Sequence, residues 1–285
     1  MSGRVWALVL VSAVCHAGWN FYARRISGHI GLLWLAEATA LLVLLPLGGW
    51  VLWRDGGAVS WSWLGAGCIL ATGLLHALYL YLLGRTYARG EISVVYPVAR
   101  GTGVGLTGLA AWVLLGEGVS SWGGLGIGLV LMGIALMSYR GRRGGPRAEG
   151  VGMALGVGGV IACYSLVDKM GVGLVQPVVY IGGMYLVTVL AMAPFVARSF
   201  GGQLRTLGRA HIDALLVIGL GSSGTYLMIL FAFQAGPVGY IVAARESAVI
   251  IGALLGVVLL KEPLTPTKGL AIAAIGLGLF CIKAG

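Results

Sequence analysis

Arginines lie deep inside two apolar runs of the sequence, and an internal repeat relates their positions. Ala99-Arg100 recurs as Ala244-Arg245, at an offset of 145 residues. A charged side chain at the centre of a bilayer costs at least about 2.5–3.5 kcal/mol, so it needs a partner or water. A guanidinium can hold a carboxylate through two parallel hydrogen bonds. One or both arginines are therefore candidates for binding a solute carboxylate; alternatively, each ties helices together by pairing with a glutamate or a free carbonyl.

Two glutamates, Glu37 and Glu246, also lie deep in apolar runs, and we expect no other carboxylate at that depth. Each is either a proton carrier or the counter-ion of an arginine. Glu246 follows Arg245 directly, about 100° around a helix, so these neighbours need not pair with each other. Glu117 and Glu262 lie at the ends of runs, where we expect them to cap the following helix or to bind loop groups.

Polar and aromatic side chains recur at helical spacing in the same runs, where lipid offers no hydrogen-bond partner. Each alone is compatible with a bond between helices, but together they predict a polar cavity with aromatic walls. Such walls suit an aromatic or cationic solute. A quaternary ammonium drug fits them too, but it gains nothing from a carboxylate-binding arginine. The predicted substrate-binding residues are His16, Trp19, Asn20, His76, Tyr79, Tyr96, Arg100, Tyr164, Ser165, Tyr226, Arg245 and Glu246.

No pattern in the sequence predicts an enzyme, a cofactor or a metal centre. The phosphate-binding pattern G-x-x-x-x-G-K does not occur, and His16 and His76 have no partner at metal-ligand spacing. The net charge of +10 comes from short basic segments between apolar runs, which orient membrane helices and do not form a nucleic-acid arm.

Composition requires a bilayer around the elements that carry these residues. Of the 285 residues, 59% are hydrophobic and 10% are charged, with a mean hydropathy of +0.96. A soluble domain carries roughly 25% charged residues. A membrane-spanning helix needs about 20 apolar residues. Ten windows qualify: 5–23, 30–53, 63–83, 92–115, 122–139, 151–167, 175–196, 212–233, 238–260 and 268–282.

The repeat divides these ten predicted helices into two halves. Tyr81-Leu82 recurs as Tyr226-Leu227, at the same offset as the arginines. We predict a first five-helix repeat over 1–140, a basic inter-repeat loop over 141–149 and a second five-helix repeat over 150–285. An odd number of helices per half requires opposite insertion, so the predicted fold is all-α with two inverted repeats.

Basic residues follow the odd-numbered windows more often than the even-numbered ones. Arg24, Arg25, Arg85, Arg89 and the cluster in RGRRGGPRAE are on that side. The positive-inside rule places these loops in the cytoplasm and both termini on the outer face of a bacterial inner membrane. Since one chain carries both halves, we expect a monomer to suffice.

The architecture resembles the drug/metabolite transporter superfamily, and its EamA-type branch most. The segments that carry the likeness are Leu115-Gly116-Glu117, Lys261-Glu262-Pro263 and the helix from His76 to Tyr81, which is similar to that of the YddG-like aromatic amino-acid exporters. The resemblance implies a ten-helix basket with a cavity lined by spans 1, 3, 4, 6, 8 and 9. It also implies export of amino acids or similar metabolites. A multidrug or nucleotide-sugar carrier and a membrane scaffold without cargo are the alternatives.

Overall fold

The protein folds into helices in every part that the structure describes. The structure is a computed structural model that describes residues 1–23, 30–54, 62–89, 92–138, 148–259, 261 and 263–285. Its helices are α1 (Gly3–Ala23), α2 (Ile30–Arg54), α3 (Trp63–Arg89), α4 (Ile92–Leu115), α5 (Ser121–Ser138), α6 (Ala148–Leu174), α7 (Pro177–Phe200), α8 (Leu204–Ala210), α9 (Ile212–Ala235), α10 (Val238–Arg245), α11 (Ser247–Leu259) and α12 (Pro266–Ala284).

Each predicted window overlaps a described helix. Eight of the described helical segments are long and apolar enough to cross a membrane, with α10 and α11 counted as one segment. The helix α5 is apolar but shorter, and α1 is not among the eight. The helix α1 contains the polar residues Arg4, His16 and Asn20. The multi-pass membrane character of the chain is thus confirmed, whereas the number of ten spans remains a prediction.

The structure departs from the predicted windows at two places that matter for the site. The predicted ninth helix is not continuous, because it breaks at Glu246 between α10 and α11. The sixth window was predicted to end at Val167, but α6 continues to Leu174 and places Asp168 inside the helix. The short helix α8, between α7 and α9, was not predicted.

The outer surface of the helices is apolar, as a lipid-facing surface must be. Leu42, Leu190 and Leu277 are exposed in the middle of α2, α7 and α12. Trp63, at the start of α3, is 95% exposed. Tryptophan favours the boundary between lipid and water, where its ring meets both. The exposed apolar side chains therefore mark the faces that contact the bilayer, and the polar groups described below face inward.

The contacts between helices are preserved when each helix is replaced by its equivalent in the other half. The offset relates α1 to α6, α2 to α7, α3 to α9, α4 to α10–α11 and α5 to α12. The contact of α3 with α6 corresponds to that of α9 with α1, and the contact of α4 with α6 corresponds to that of α10–α11 with α1. The contact of α3 with α7 likewise corresponds to that of α9 with α2. The pairs α2–α7 and α5–α12 map onto themselves.

The backbones of α5 and α12 approach each other closely at two places, and the 145-residue offset relates one place to the other. A Cβ atom at Gly133 would lie 2.9 Å from the carbonyl oxygen of Ala271, and one at Gly278 would lie 2.7 Å from that of Gly126. Adding 145 to 133 gives 278, and adding 145 to 126 gives 271. Glycine allows this approach because any larger residue would force the helices apart.

Several residues used in the sequence predictions lie outside the described part. They include residues 141–147 of the predicted basic loop, the arginines at 24 and 25, and Glu262. Residues 148 and 149 of that predicted loop are instead the first residues of α6. The predicted orientation of the loops and the capping role of Glu262 therefore stay predictions.

Candidate functional site

Helices α4, α6, α9 and α10 enclose a cavity in the interior of the bundle. The volume open to the centre of a water-sized sphere is about 10 Å³, which is about the space that one water needs. The chain is therefore closed around this site in the present conformation. The lining residues are Arg100, Val104, Ile161, Tyr164, Ser165, Tyr226, Phe233, Val242, Arg245 and Glu246.

The helix break at Glu246 brings two of these charged residues to the cavity. The amide of Glu246 donates to the carbonyl of Ala243 at 3.1 Å, three residues back, and the amide of Val249 donates to the carbonyl of Glu246 at 2.9 Å. Hydrogen bonds from i to i−3 tighten the helix. Glu246 keeps right-handed helical backbone angles (φ −67°, ψ −6°), so the break is one tight turn rather than an unwound segment. Arg245 and Glu246 stand directly at this break.

Arg100 is neutralised by Glu246 across the interface between α4 and the helix break. Its terminal nitrogen Nη2 contacts Oε1 in a short ion pair, and its Nε donates to Oε2 at 3.4 Å. The Glu246 side chain is 0% exposed and that of Arg100 is 13% exposed. Arg100 thus takes the structural alternative named above, because Glu246 already occupies its guanidinium fork.

Arg245 has no such partner. No carboxylate in the described part of the chain lies within ion-pair distance of it, and its buried Nε has no hydrogen-bond partner. Its Cζ lies over the ring of Tyr226, 5.5 Å from the centroid, in a cation–π contact. This contact is weaker than an ion pair. Arg245 therefore presents an uncompensated positive charge to the cavity.

The Tyr226 ring under Arg245 is fixed by Asp168, which the sequence places on one helix face with Tyr164 and Ser165 but which was not predicted to be a deep carboxylate or a binding residue. Asp168, fully buried on α6, accepts a short hydrogen bond from the Tyr226 hydroxyl and one of 2.8 Å from that of Tyr180. The expectation that Glu37 and Glu246 are the only deep carboxylates was thus wrong. The predicted sixth window ended one residue before Asp168, so Asp168 was not counted among the deep carboxylates.

Aromatic side chains from α3 form one wall beside the cavity. The His76 ring lies 4.3 Å from the Tyr164 ring and 5.4 Å from the Tyr226 ring, and Tyr79 lies 6.0 Å from Tyr164. The His76 Nδ1 is 2.9 Å from the carbonyl oxygen of Thr72, which fixes the orientation of the ring. The predicted residues His76, Tyr79, Tyr164 and Tyr226 therefore come together as one aromatic cluster.

The remaining predicted residues differ in how closely they approach Arg100, Arg245 and the cavity. His16 and Tyr96 are each within electrostatic range of both arginines, and Tyr96 is 38% exposed although it lies inside a span. The Trp19 ring contacts His16 edge-on at 5.0 Å. The Ser165 hydroxyl lines the cavity but donates to the carbonyl of Ile161, in its own helix, at 2.7 Å.

Asn20 is the one predicted residue that the structure does not bring to the site. Its side chain is exposed, and its amide donates to the carbonyl of His16 at 2.9 Å. The four-residue spacing that suggested a shared polar face with His16 instead produces a bond within α1. Ser12, one turn earlier, donates to the carbonyl of Thr225 at 2.9 Å and so joins α1 to α9.

A polar network closes the end of the bundle where α10 begins. Glu117 accepts hydrogen bonds from the amides of Val238 at 2.9 Å and Gly239 at 3.4 Å. Lys169, next to Asp168, donates to the carbonyls of Phe233 at 2.6 Å and Gly236 at 2.8 Å, and it lies 4.0 Å from Glu117. Glu117 therefore caps α10 of the other half, whereas the prediction had named the following helix, α5.

Metal coordination has no support in the described residues, in which no cluster of three or more His, Cys, Asp or Glu side chains is arranged to hold an ion.

Comparisons with known proteins bear on the fold and on the second half of the sequence. Residues 148–284 match the model of the EamA-like transporter family. No curated protein matches the sequence. A solved structure titled only "Crystal structure of protein" aligns with a TM-score of 0.78 at 17% identity, over 99% of this chain and 96% of that one. At this identity the likeness concerns the fold alone.

The family match supports the expected relationship to the drug/metabolite transporter superfamily, over slightly less than half of the chain. Together with the apolar helices, it indicates a multi-pass membrane protein and suggests a transporter of small molecules rather than an enzyme.

Proposed function

We propose that the protein is a secondary transporter that exports amino acids, aromatic ones included, across the bacterial inner membrane, as the YddG-like exporters do. The observation that carries this proposal is Arg245, an arginine without a carboxylate partner at a cavity in the bundle interior. A half-buried guanidinium without a counter-ion is unfavourable in the interior of the bundle, and a carboxylate can satisfy it through two hydrogen bonds. The aromatic cluster beside it suits a ring-bearing side chain.

The scaffold of this transporter is a pair of inverted five-helix repeats, the second of which begins with α6 at Ala148, joined by a basic segment. The exchange of helix contacts between the halves supports this arrangement, as does the reciprocal approach of Gly133 to Ala271 and of Gly278 to Gly126. In this topology the odd-numbered loops are cytoplasmic, both termini are external and a monomer is sufficient.

Alternating access follows from the size of the cavity. Space for about one water cannot hold an amino acid, so the helices must separate before the solute enters. The network of Glu117 and Lys169 ties α6, α9 and α10 at one end of the bundle. Tyr96, at the opposite end of α4, is exposed. We therefore propose that the solute enters from the Tyr96 side while the Glu117 end stays closed.

Counterflow in liposomes tests the proposal directly. Purified protein in vesicles preloaded with phenylalanine should take up labelled phenylalanine, and Arg245→Ala should reduce this uptake strongly. Arg205→Ala is the matched control, because Arg205 is exposed on α8, away from the cavity.

The outcomes separate the proposal from its rivals. Uptake of lipophilic cations or nucleotide sugars without phenylalanine counterflow would identify a different carrier. No uptake of any of these solutes would favour a scaffold. Phenylalanine counterflow that is unchanged in Arg245→Ala would remove the assigned role of this arginine.

A further inference from the structure

A groove on the outer surface of the bundle lies between α1 and α12 and shares no lining residue with the inner cavity. It is lined by Trp6, Leu10, Leu279, Phe280 and Lys283. The volume open to the centre of a water-sized sphere is about 210 Å³ in the groove, against about 10 Å³ in the inner cavity. The groove therefore has room for part of a flexible chain, which the inner cavity does not.

The groove exists because α1 and α12 hardly touch each other. Both helices pack against α10 and α11 instead. Trp6 and Leu10 are four residues apart on α1, and Leu279 and Lys283 are four residues apart on α12, so each pair lies on one face of its helix. These two helix faces form the walls of the groove.

The walls change from polar to apolar with depth in the membrane. Lys283 is the second-last residue of α12 and Trp6 is the fourth residue of α1, so both stand near helix ends on the same side of the bundle. Leu10 and Leu279 lie one turn farther from those ends, about 6 Å deeper at 1.5 Å per residue. A cation at the membrane boundary thus stands above an apolar groove, which is the order of a phospholipid from its phosphate to its acyl chain.

Lys283 has no partner within the protein. Its side chain is exposed, and no hydrogen bond or ion pair joins it to another residue in the described part of the chain. An ammonium has three N–H donors and no acceptor, so it matches the acceptor oxygens of a phosphate. Anionic lipids attract a lysine that lies near the membrane surface. Lys283 is therefore available to a lipid phosphate at the mouth of the groove.

Trp6 contributes an aromatic wall that also carries an unpaired donor. Its side chain is 8% exposed, and its Nε1 is buried without a hydrogen-bond partner among the described residues. Glu37 Oε2 is likewise buried without a partner, and no arginine or lysine pairs with Glu37 in the described part, so its predicted role as a counter-ion is not realised. Glu37 lines neither the groove nor the inner cavity, so of these two groups only Trp6 borders open space.

The equivalent place in the other half lacks the residues that distinguish the groove. The offset of 145 relates Lys283 to Ser138 and Trp6 to Val151, while the leucines of the groove correspond to apolar residues. The repeated fold thus supplies apolar helix faces at both places, but the cation and the indole occur at only one. They are a feature of this groove and not a requirement of the fold.

We propose that the groove between α1 and α12 binds one anionic phospholipid, with its phosphate at Lys283 and an acyl chain between Leu10 and Leu279. Complementarity of charge and polarity selects this occupant. An uncharged chain would leave Lys283 without a counter-charge, and a free anion would leave the apolar walls uncovered. The site does not depend on the proposed transport function, since none of its residues lines the inner cavity.

Native mass spectrometry with phosphatidylglycerol and phosphatidylcholine tests the site, because both lipids carry the phosphate and the acyl chains but only phosphatidylglycerol is anionic. The wild-type protein should bind one phosphatidylglycerol about fivefold more tightly than phosphatidylcholine, the ratio expected for one lysine at a membrane surface. Lys283→Gln should remove this preference. Arg4→Gln is the matched control and should retain it, because Arg4 is exposed in the first turn of α1 but does not line the groove.

A second variant tests the space itself. Leu10→Trp places a larger side chain in the groove, so it should weaken the binding of both lipids while the melting temperature of the lipid-free protein stays at the wild-type value. The melting temperatures of all variants in detergent show that each is folded. Unchanged lipid binding in Leu10→Trp would refute the groove as the site.

The other outcomes also overturn the proposal. Equal affinity of the wild-type protein for the two lipids, or a preference that survives Lys283→Gln, would refute recognition of the anionic lipid at this place. The same loss in Arg4→Gln as in Lys283→Gln would assign the preference to the overall charge at this end of the bundle. A dimer that Leu10→Trp abolishes would assign the groove to a second copy of the chain, and displacement of the lipid by inorganic phosphate would reduce it to an anion site.

Discussion

Arg100 and Arg245 occupy the same position in a duplicated sequence, yet they have opposite electrostatic surroundings. Arg100 is held by Glu246, whereas Arg245 has only the face of Tyr226 and a buried Nε without a partner. The residue that follows each arginine accounts for the difference: it is Glu246 in the second half and Gly101 in the first. A single carboxylate therefore neutralises the arginine of the other half and leaves its own neighbour available to a solute.

The backbone differs at the same two positions. Helix α4 is continuous through Arg100 although it contains Pro97, whereas the corresponding second-half helix breaks just after Arg245. Duplication thus provided two equivalent helices, and divergence at one position made one of them a structural tie and the other a candidate binding element. The following predictions test this division.

The largest expected effect is a loss of protein stability when the Arg100–Glu246 pair is broken. Glu246→Gln leaves a buried guanidinium without its counter-charge, and breaking a buried pair by removal of one partner costs about 3–5 kcal/mol. The melting temperature in detergent should fall sharply. The double replacement of Arg100 and Glu246 by Met should recover most of the loss, because it removes both charges. A single variant as stable as the wild type would contradict the assignment of Arg100 as a structural tie.

Arg245→Ala should impair transport but not lower the stability of the protein. It removes an unpaired charge, so stability should be unchanged or higher, while kcat/KM for phenylalanine should fall about 10- to 100-fold through loss of charged hydrogen bonds worth about 1.5–3 kcal/mol. Melting curves and initial transport rates on the same preparations check both parts. A drop in stability like that of Glu246→Gln would show that the two arginines do not differ in role.

Asp168→Asn tests the support beneath Arg245. The amide has one acceptor oxygen where the carboxylate has two, so one of the Tyr226 and Tyr180 hydroxyls loses its partner. We expect KM for phenylalanine to rise about 5- to 10-fold, consistent with the loss of about 1 kcal/mol, with a smaller change in kcat. Tyr226→Phe, which retains the ring and removes the hydroxyl, should reproduce the change. An unaltered KM in both variants would mean that the position of Tyr226 does not matter to the solute.

The smallest effect is expected at Asn20, at the edge of the predicted site. Asn20→Ala removes an exposed amide that bonds within its own helix, so stability should change by less than about 0.5 kcal/mol and transport should stay at the wild-type rate. His16→Ala, one turn deeper and within range of both arginines, is the comparison. A loss of transport in Asn20→Ala would extend the site to the end of α1.

Hydropathy predicted the helices well because a span is a local property: about 20 consecutive apolar residues suffice to predict it. The window at Ile92–Leu115 matches α4 at both ends, whereas the window at Val151–Val167 ended too early because Asp168 and Lys169 lower the local hydropathy. Those polar residues do not end α6. Asp168 is satisfied by tyrosines of α7 and α9, and Lys169 by carbonyls near the end of α9, so the helix continues past them.

From the sequence alone, one can infer a helical membrane protein, an internal repeat at an offset of 145 and the set of polar side chains that must avoid lipid, because each depends only on residue type and spacing. Which arginine is paired, which carboxylate holds Tyr226 and which glutamate is left without a partner were decided by the tertiary structure. Those contacts join side chains far apart in the chain, such as Arg100 and Glu246, and their distances depend on how whole helices pack. Helical spacing assigns a residue to a face of its own helix, but only the packing of the bundle determines which partner that face meets.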